Sequence, residues 1–314
     1  QRYGLPPGMI EPNRNILPVA GTREALFSGA LLVVPTKKRG VQPTVLIPDP
    51  FYQIYSGAAI MAGAEPVYVP TTEETGFLPN FHALPTDKLE RAALAYLCSP
   101  SNPQGAVASL SQLKSYIQLA RDMDFVLATD ECYCEIYCDK PPPGILEACS
   151  IGVNSVSNVI AFHSLSKRSN VPGLRSGFVV GDSDLLIDFA RLRQYTGGAS
   201  PGPVLATAAA LWKDEVHVKI SRQLYREKFD DADQIIGDHP HFYRPDGGFY
   251  LWLKVGNGEA TARKLWTMTG VKVMPGAYLS REGDDPPGKA YIRLALVHNR
   301  SANAEALNRI ATYL

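Results

Sequence analysis

Residues Ala93–Cys98 (Ala-Leu-Ala-Tyr-Leu-Cys) are apolar on both faces of any strand they form. Such a strand must be covered on both sides, as in a parallel sheet packed between helices. Its neighbours repeat the pattern. Ile16–Ala20, Thr44–Ile47, Val67–Val69, Phe125–Thr129, Val159–His163 and Gly177–Val180 are further short apolar runs. Ser109–Met123 places apolar residues at 110, 113, 117 and 120, a helical stripe with serine at its start. The alternation predicts an α/β fold with a mostly parallel central sheet flanked by helices.

The pattern changes at Ser200-Pro201-Gly202-Pro203. Helical stretches follow at Val204–Trp212 and Glu215–Ile236. Next come Gly248–Val255 with period-two alternation, a helix over Glu259–Thr269, strands over Val271–Met274 and Tyr291–Val297, and a helix over Ala302–Tyr313. This predicts a large domain over residues 1–205 and a smaller C-terminal α+β domain over 206–314, which includes the long linking helix. A chain of 314 residues suits two cores better than one.

Lys plus Arg is 31 and Asp plus Glu is 31, so the chain has no net field for nucleic acid or an anionic membrane. The longest apolar run, Ala25–Pro35, is broken by Ser28 and Gly29 and falls short of the ~20 residues a membrane span needs. Gln1-Arg2-Tyr3-Gly4 has no signal-peptide character. Five cysteines do not suit a disulfide framework, so a cytoplasmic setting is expected.

In parallel sheets, ligands bind beyond the carboxyl ends of the strands. Four loops there carry chemistry. Gly21-Thr22-Arg23-Glu24 follows the first strand and opens a helix, a place that suits a phosphate. Ser99-Pro100-Ser101-Asn102-Pro103-Gln104-Gly105 holds Asn102 in a rigid turn. Asp130-Glu131-Cys132-Tyr133 sets a carboxylate at a buried strand end, where it needs a partner. Ser164 to Gly177 brings together hydroxyls, Lys167 and Arg175. Read singly, each loop is also an ordinary helix start, a capped turn, a salt bridge or a basic surface loop.

One cofactor accounts for all four. Pyridoxal phosphate needs a lysine for a Schiff base, a carboxylate for its ring nitrogen, an anion cradle, and donors for its ring oxygen. Lys167 and Asp130 supply the first two. Gly21, Thr22, Arg23, Ser164, Ser166 and Arg175 supply the cradle. Asn102 and Tyr133 are the donors, and Tyr52 is the aromatic face.

The ordered set Gly21-Thr22-Arg23-Glu24-Ala25, Asn102-Pro103-x-Gly105, Asp130-Glu131-x-Tyr133, Ser164-x-Ser166-Lys167 and Gly173-Leu174-Arg175-x-Gly177 resembles the class I/II aminotransferases of fold type I. The resemblance continues through Gly247-Gly248-Phe249-Tyr250 and Pro275-Gly276. It implies that Arg293 binds the substrate α-carboxylate, with Asn102 beside it, and that Lys167, Asp130 and Tyr133 are catalytic. Within the family, Pro48–Tyr55, Asp130–Tyr137 and Ser164–Arg175 look like the bacterial N-succinyldiaminopimelate aminotransferases. That implies transfer of an amino group from N-succinyl-LL-2,6-diaminopimelate to 2-oxoglutarate, in lysine and cell-wall precursor synthesis, by a homodimer. The alternatives are an aminotransferase for aspartate or another amino acid, and a non-catalytic pyridoxal phosphate-binding fragment or partner subunit. A distal carboxylate on the substrate needs a further cation, and Arg23 and Arg168 are the candidates.

The chain departs from the family pattern in two ways. Gln104 stands where the family has threonine. The family also has a segment before the position of Gln1, with a tyrosine that reaches the neighbouring subunit's cofactor phosphate; Tyr3 does not match it. Cys132, Cys134 and Cys138 lack zinc spacing and are expected as small buried hydrophobes, 132 and 134 on one face of a strand. His239 and His241 flank a proline turn, and His163 is expected to pack at a strand end. No metal site is expected. The chain has neither a G-x-S-x-G elbow nor a G-x-G-x-x-G turn after a strand.

Overall fold

The computed structural model describes residues 2–151, 154–197 and 199–314. The larger of its two sheets has seven strands: β1 (Ile16–Val19), β2 (Thr44–Asp49), β3 (Glu65–Pro70), β4 (Ala92–Cys98), β5 (Val126–Asp130), β6 (Val159–Ser164) and β7 (Gly177–Gly181). Their spatial order is β1-β7-β6-β5-β4-β2-β3. Pairings from β3 to β6 are parallel, and β7 is antiparallel to both β6 and β1. The reversal at β7 has a local reason. A parallel neighbour requires a crossover of about a dozen residues or more, usually a helix. The connection over residues 165–176 is long enough in residues but forms only a four-residue helix, Leu165–Arg168, and a 3-10 turn, with no helix long enough to cross the sheet, and the chain doubles back.

The unbroken apolar character of β4 is explained by two cores. Leu94 and Tyr96 face one layer with Val45, Ile47, Val126, Ile160 and Phe162. Ala95 and Leu97 face the other with Leu46, Leu127 and Ala161. Each large side chain so buried contributes about 1.5–3 kcal/mol. Helices Thr22–Val33, Gln53–Met61, Leu110–Asp122 and Ser183–Thr196 cover the faces. Leu110–Asp122 begins at a capping box, Ser109 with Gln112, and buries Leu113, Tyr116, Ile117 and Ala120. Cys98 pairs with Asp130, and Asp130 with Phe162, so the carboxyl ends of β4, β5 and β6 lie level.

The smaller sheet has strands β8 (Tyr250–Lys254), β9 (Met274–Pro275) and β10 (Tyr291–Ala295), in antiparallel order β8-β10-β9. Leu251, Leu253, Ile292 and Leu294 pack against Phe229, Leu265 and Leu307. The strand expected over Val271–Met274 is shorter and later. Gly270 ends the preceding helix at φ 71°, and only Met274 and Pro275 reach the ladder with β10. Cys132 and Cys134 are in a turn rather than a strand, because Cys134 N–H bonds Glu131 O and Ile136 N–H bonds Tyr133 O. Helix Gly202–Lys213 runs through the expected boundary at 205/206. Among the described residues no helix is long and apolar enough to cross a membrane, and no group of three or more side chains could hold a metal ion.

Candidate active site

Asp130 ends β5 and is only 3 % exposed. The Tyr55 hydroxyl donates to its Oδ2 at 2.9 Å, and the Cys132 backbone N–H donates to Oδ1 at 3.3 Å. Both partners are neutral. Burial pushes the carboxyl above the usual carboxylate range, and these bonds only partly offset it. A buried carboxylate with neutral partners favours a cation beside it. Glu131 points elsewhere, accepting from Ile145 N–H at 2.8 Å and from the Tyr3 hydroxyl. His163 stacks on Phe178 at 4.9 Å, and burial lowers its pKa to about 4. It is a neutral, packed residue, as expected.

Ser164 ends β6, and its Oγ accepts from Ser166 N–H at 3.1 Å, starting the short helix that carries Lys167. Lys167 Nζ lies 5.2 Å from the centre of the Phe249 ring. Arg175 adopts φ 53° just before β7 and reaches the end of β1, where its Nη2 donates to Ala20 O at 3.3 Å. It also pairs with Glu24 at 2.5 Å. Gly21 precedes helix Thr22–Val33 at φ 96° and gives no side-chain cap. A Cβ at Gly21 would lie 2.1 Å from Arg175 Nη2. The positive φ favours glycine there, and a Cβ would also push the Arg175 guanidinium aside. The guanidinium, the uncapped helix start and three nearby hydroxyls (Thr22, Ser164, Ser166) form one wall suited to an anion.

The opposite wall comes from the smaller sheet. Arg293 on β10 donates through Nη1 to Asn102 Oδ1 at 2.9 Å. Its guanidinium carbon lies 4.3 Å from the Tyr250 ring centre. Its Nε is buried with no hydrogen-bond partner among the described residues. The Tyr250 and Tyr133 hydroxyls are 3.2 Å apart, and burial raises both phenol pKa values. Tyr52 packs edge-on against Tyr55 at 5.8 Å and accepts from Arg23 Nε at 2.5 Å.

These groups line one cavity of about 560 Å³. Thr22, Arg23, Tyr52, Asn102, Asp130, Tyr133, Ser164, Ser166, Lys167, Arg175 and Arg293 all reach it. Gly21 does not; it stands behind the Arg175 guanidinium. Arg168 does not either. It is 5 % exposed, donates to Leu211 O at 2.7 Å and pairs with Glu215 at 2.6 Å, so it fastens the end of helix Gly202–Lys213. That removes it from the candidates for a distal carboxylate. Tyr55, Cys132 and Tyr250 also line the cavity, although the sequence gives none of them a site role. Tyr55 stands one helical turn after Tyr52, a spacing that could have marked it. Nothing in the alternation of β8 distinguishes Tyr250 from a core residue.

Residues 9–310 match the family model for aminotransferases of class I and II. The chain belongs to that family. Class I and II aminotransferases depend on pyridoxal phosphate, and this chain is such a transaminase. It is 32 % identical over 309 residues to an LL-diaminopimelate aminotransferase of Aquifex aeolicus, covering 96 % of this chain and 76 % of that protein. A crystal structure of an aminotransferase from Neisseria meningitidis matches with a TM-score of 0.91 at 40 % identity, over 97 % of this chain and 78 % of that one. A probable N-succinyldiaminopimelate aminotransferase from Thermus thermophilus matches with a TM-score of 0.88 at 26 % identity, over 100 % and 81 %.

The aminotransferase cavity suits its cofactor on three observations. Among the described residues, Asp130 is buried without a cation, Gly21 leaves the space in which the Arg175 guanidinium stands beside the uncapped helix start, and Arg293 Nε has no hydrogen-bond partner. A ring nitrogen cation, a phosphate and a substrate carboxylate are the complementary groups.

Proposed function

We propose that this aminotransferase moves the α-amino group of a diaminopimelate-type amino acid to 2-oxoglutarate, giving the oxo acid and glutamate. The observation that carries the reading is the single cavity that joins Lys167, Asp130, the Gly21–Arg175 wall and Arg293. When bound, pyridoxal phosphate supplies an aldehyde and an electron-withdrawing ring. Thr22, Arg23, Ser164, Ser166 and Arg175 would hold its phosphate, with Gly21 leaving room for the Arg175 guanidinium. Asp130 would keep a proton on the ring nitrogen. Asn102 and Tyr133 would donate to the ring oxygen, and Tyr52 would cover one face. Arg293 would bind the substrate α-carboxylate through two parallel N–H···O bonds, with Asn102 holding the guanidinium. That contact orients Cα, and the Lys167 amine would carry the proton to and from it.

The donor class is supported by the names of the relatives, an LL-diaminopimelate aminotransferase of Aquifex aeolicus and a probable N-succinyldiaminopimelate aminotransferase of Thermus thermophilus. Both donors carry a distal carboxylate, and Arg23, exposed beside Tyr52 on the phosphate wall, would also meet that carboxylate. Residues 1–205 would form the cofactor domain and 206–314 the domain that delivers Arg293, in a homodimer.

Lys167→Ala should lose the visible absorption of lysine-bound cofactor and lower turnover by on the order of 10⁴-fold or more. Retention of both would overturn the assignment. A donor panel of LL-diaminopimelate, its N-succinyl derivative, aspartate and glutamate checks the substrate. A clear preference for aspartate would replace the diaminopimelate reading.

A further inference from the structure

One buried acid has no part in the chemistry above. Asp49 ends β2 and is 0 % exposed. Its Oδ2 has no hydrogen-bond partner among the described residues. Its Oδ1 accepts from Arg281 N–H at 3.4 Å, and the Arg281 Nε lies 3.7 Å from Oδ2. Arg281 is the charged group that faces it; the Ser280 hydroxyl is the other side-chain contact. Burial raises the carboxyl pKa to about 6, and the Ser280 and Arg281 contacts only partly oppose this. A half-satisfied buried carboxylate disfavours folding once it ionises. Retaining one beside a binding cavity points to a role in the function rather than in stability.

Its position suggests that role. Two further bonds join the same segments: Phe51 N–H donates to Leu279 O at 2.7 Å, and Gln53 Nε2 to Tyr278 O at 3.0 Å. Tyr52 and Gln53 on one side, and Leu279 on the other, line the cavity. The turn Gly276–Leu279 follows β9, whose Met274 pairs with Arg293 on β10. A short covalent and hydrogen-bonded path therefore runs from Asp49 through residues 278–281 to Arg293.

We propose that Asp49 is a positioning residue. It fastens the 276–281 turn to the end of β2 and so sets where Arg293 stands relative to Tyr52 and Lys167. The inference rests on the reading of Arg293 as the carboxylate-binding residue. Asp49→Asn keeps the size and an acceptor but removes the attraction for Arg281. Arg281→Ala removes the same attraction from the other side.

Both variants should raise the KM for the amino donor by about tenfold, with kcat and cofactor affinity little changed. The double variant should be no worse than either single one. Amide exchange over residues 277–281 should quicken in both variants, in cofactor-free protein as well. Asp49→Asn should also be at least as thermally stable as the parent at pH 7.5, which a purely structural residue would not allow. A parental KM, additive losses, unchanged exchange, or a fall in stability matching the loss of function would overturn the proposal. If the parent protein binds no pyridoxal phosphate, the functional reading fails instead, while the exchange result still decides whether Asp49 holds the turn.

Discussion

At one end of the cavity, Gly21 and Arg175 flank the adjacent strands β1 and β7, whose ladder pairs Val19 with Gly177. At the other end, Asn102 and Arg293 are 191 residues apart and belong to segments around different sheets. A backbone ladder sets the first end. The second depends on one side-chain bond, one ring contact and the turn near Asp49. The proposed phosphate end is thus rigid by construction, whereas the proposed carboxylate end can be shifted by residues that touch no ligand. The difference matters because small displacements of a reacting carbon are costly to rate.

Several substitutions can break that contrast. Arg293→Lys should lower kcat/KM for amino donors by on the order of 10³-fold, because lysine cannot make a paired contact with a carboxylate. Cofactor affinity, measured by absorbance titration, should be unchanged; an equal loss in both would mean the ends are not separate.

His163 belongs to neither end: it lies outside the cavity, stacked on Phe178 with Glu131 Oε2 3.5 Å from its Nε2. Its pKa falls from 6.5 to about 4 on burial. The unfolded chain therefore binds a proton that the folded His163 refuses. The stability this residue contributes is complete above pH 6.5 and is lost as pH falls toward 4. The loss is about 3 kcal/mol at about 1.4 kcal/mol per pH unit. Thermal melts of His163→Phe should lose most of the acid-dependent drop in Tm; an unchanged drop would assign it to other groups.

Gly21→Ala should weaken binding of pyridoxal phosphate by about tenfold, through the left-handed backbone and the crowding of Arg175. Binding of pyridoxal, which has no phosphate, should not change; a matching loss would point to general distortion. Tyr250→Phe keeps the ring beside Arg293 but removes the hydroxyl from Tyr133. It should change donor KM by no more than about threefold, while shifting the pH at which bound-cofactor absorption titrates. A large rise in KM would show that the hydroxyl, not the ring, supports Arg293.

The fold was legible wherever two-sided burial demanded an unbroken apolar run. β4, β5 and β6 are such runs, and polar residues immediately after them could only be at the sheet's carboxyl edge. Asn102, Asp130 and Lys167 were readable for that reason. Arg168 was readable as a cation but not as one turned toward helix Gly202–Lys213, because side-chain direction depends on the neighbour it meets. Cys132 and Cys134 alternate as a strand would, yet local turn bonds win there. Tyr250 and Asp49 lie within segments that carry the family resemblance, yet nothing local gave either a role, since a tyrosine in an alternating strand and an acid before proline are both ordinary.

The order of residues alone determined which chemical groups stand at which strand ends, because burial and turn chemistry act over a few positions. It also determined the family, through the spacing of those groups. Only the tertiary structure decided that Arg293 meets Asn102, that Arg175 needs the space left by Gly21, and that Asp49 holds the turn near Arg293. Those contacts join segments far apart in the chain, and their geometry follows from how two packed sheets settle against each other rather than from any local preference.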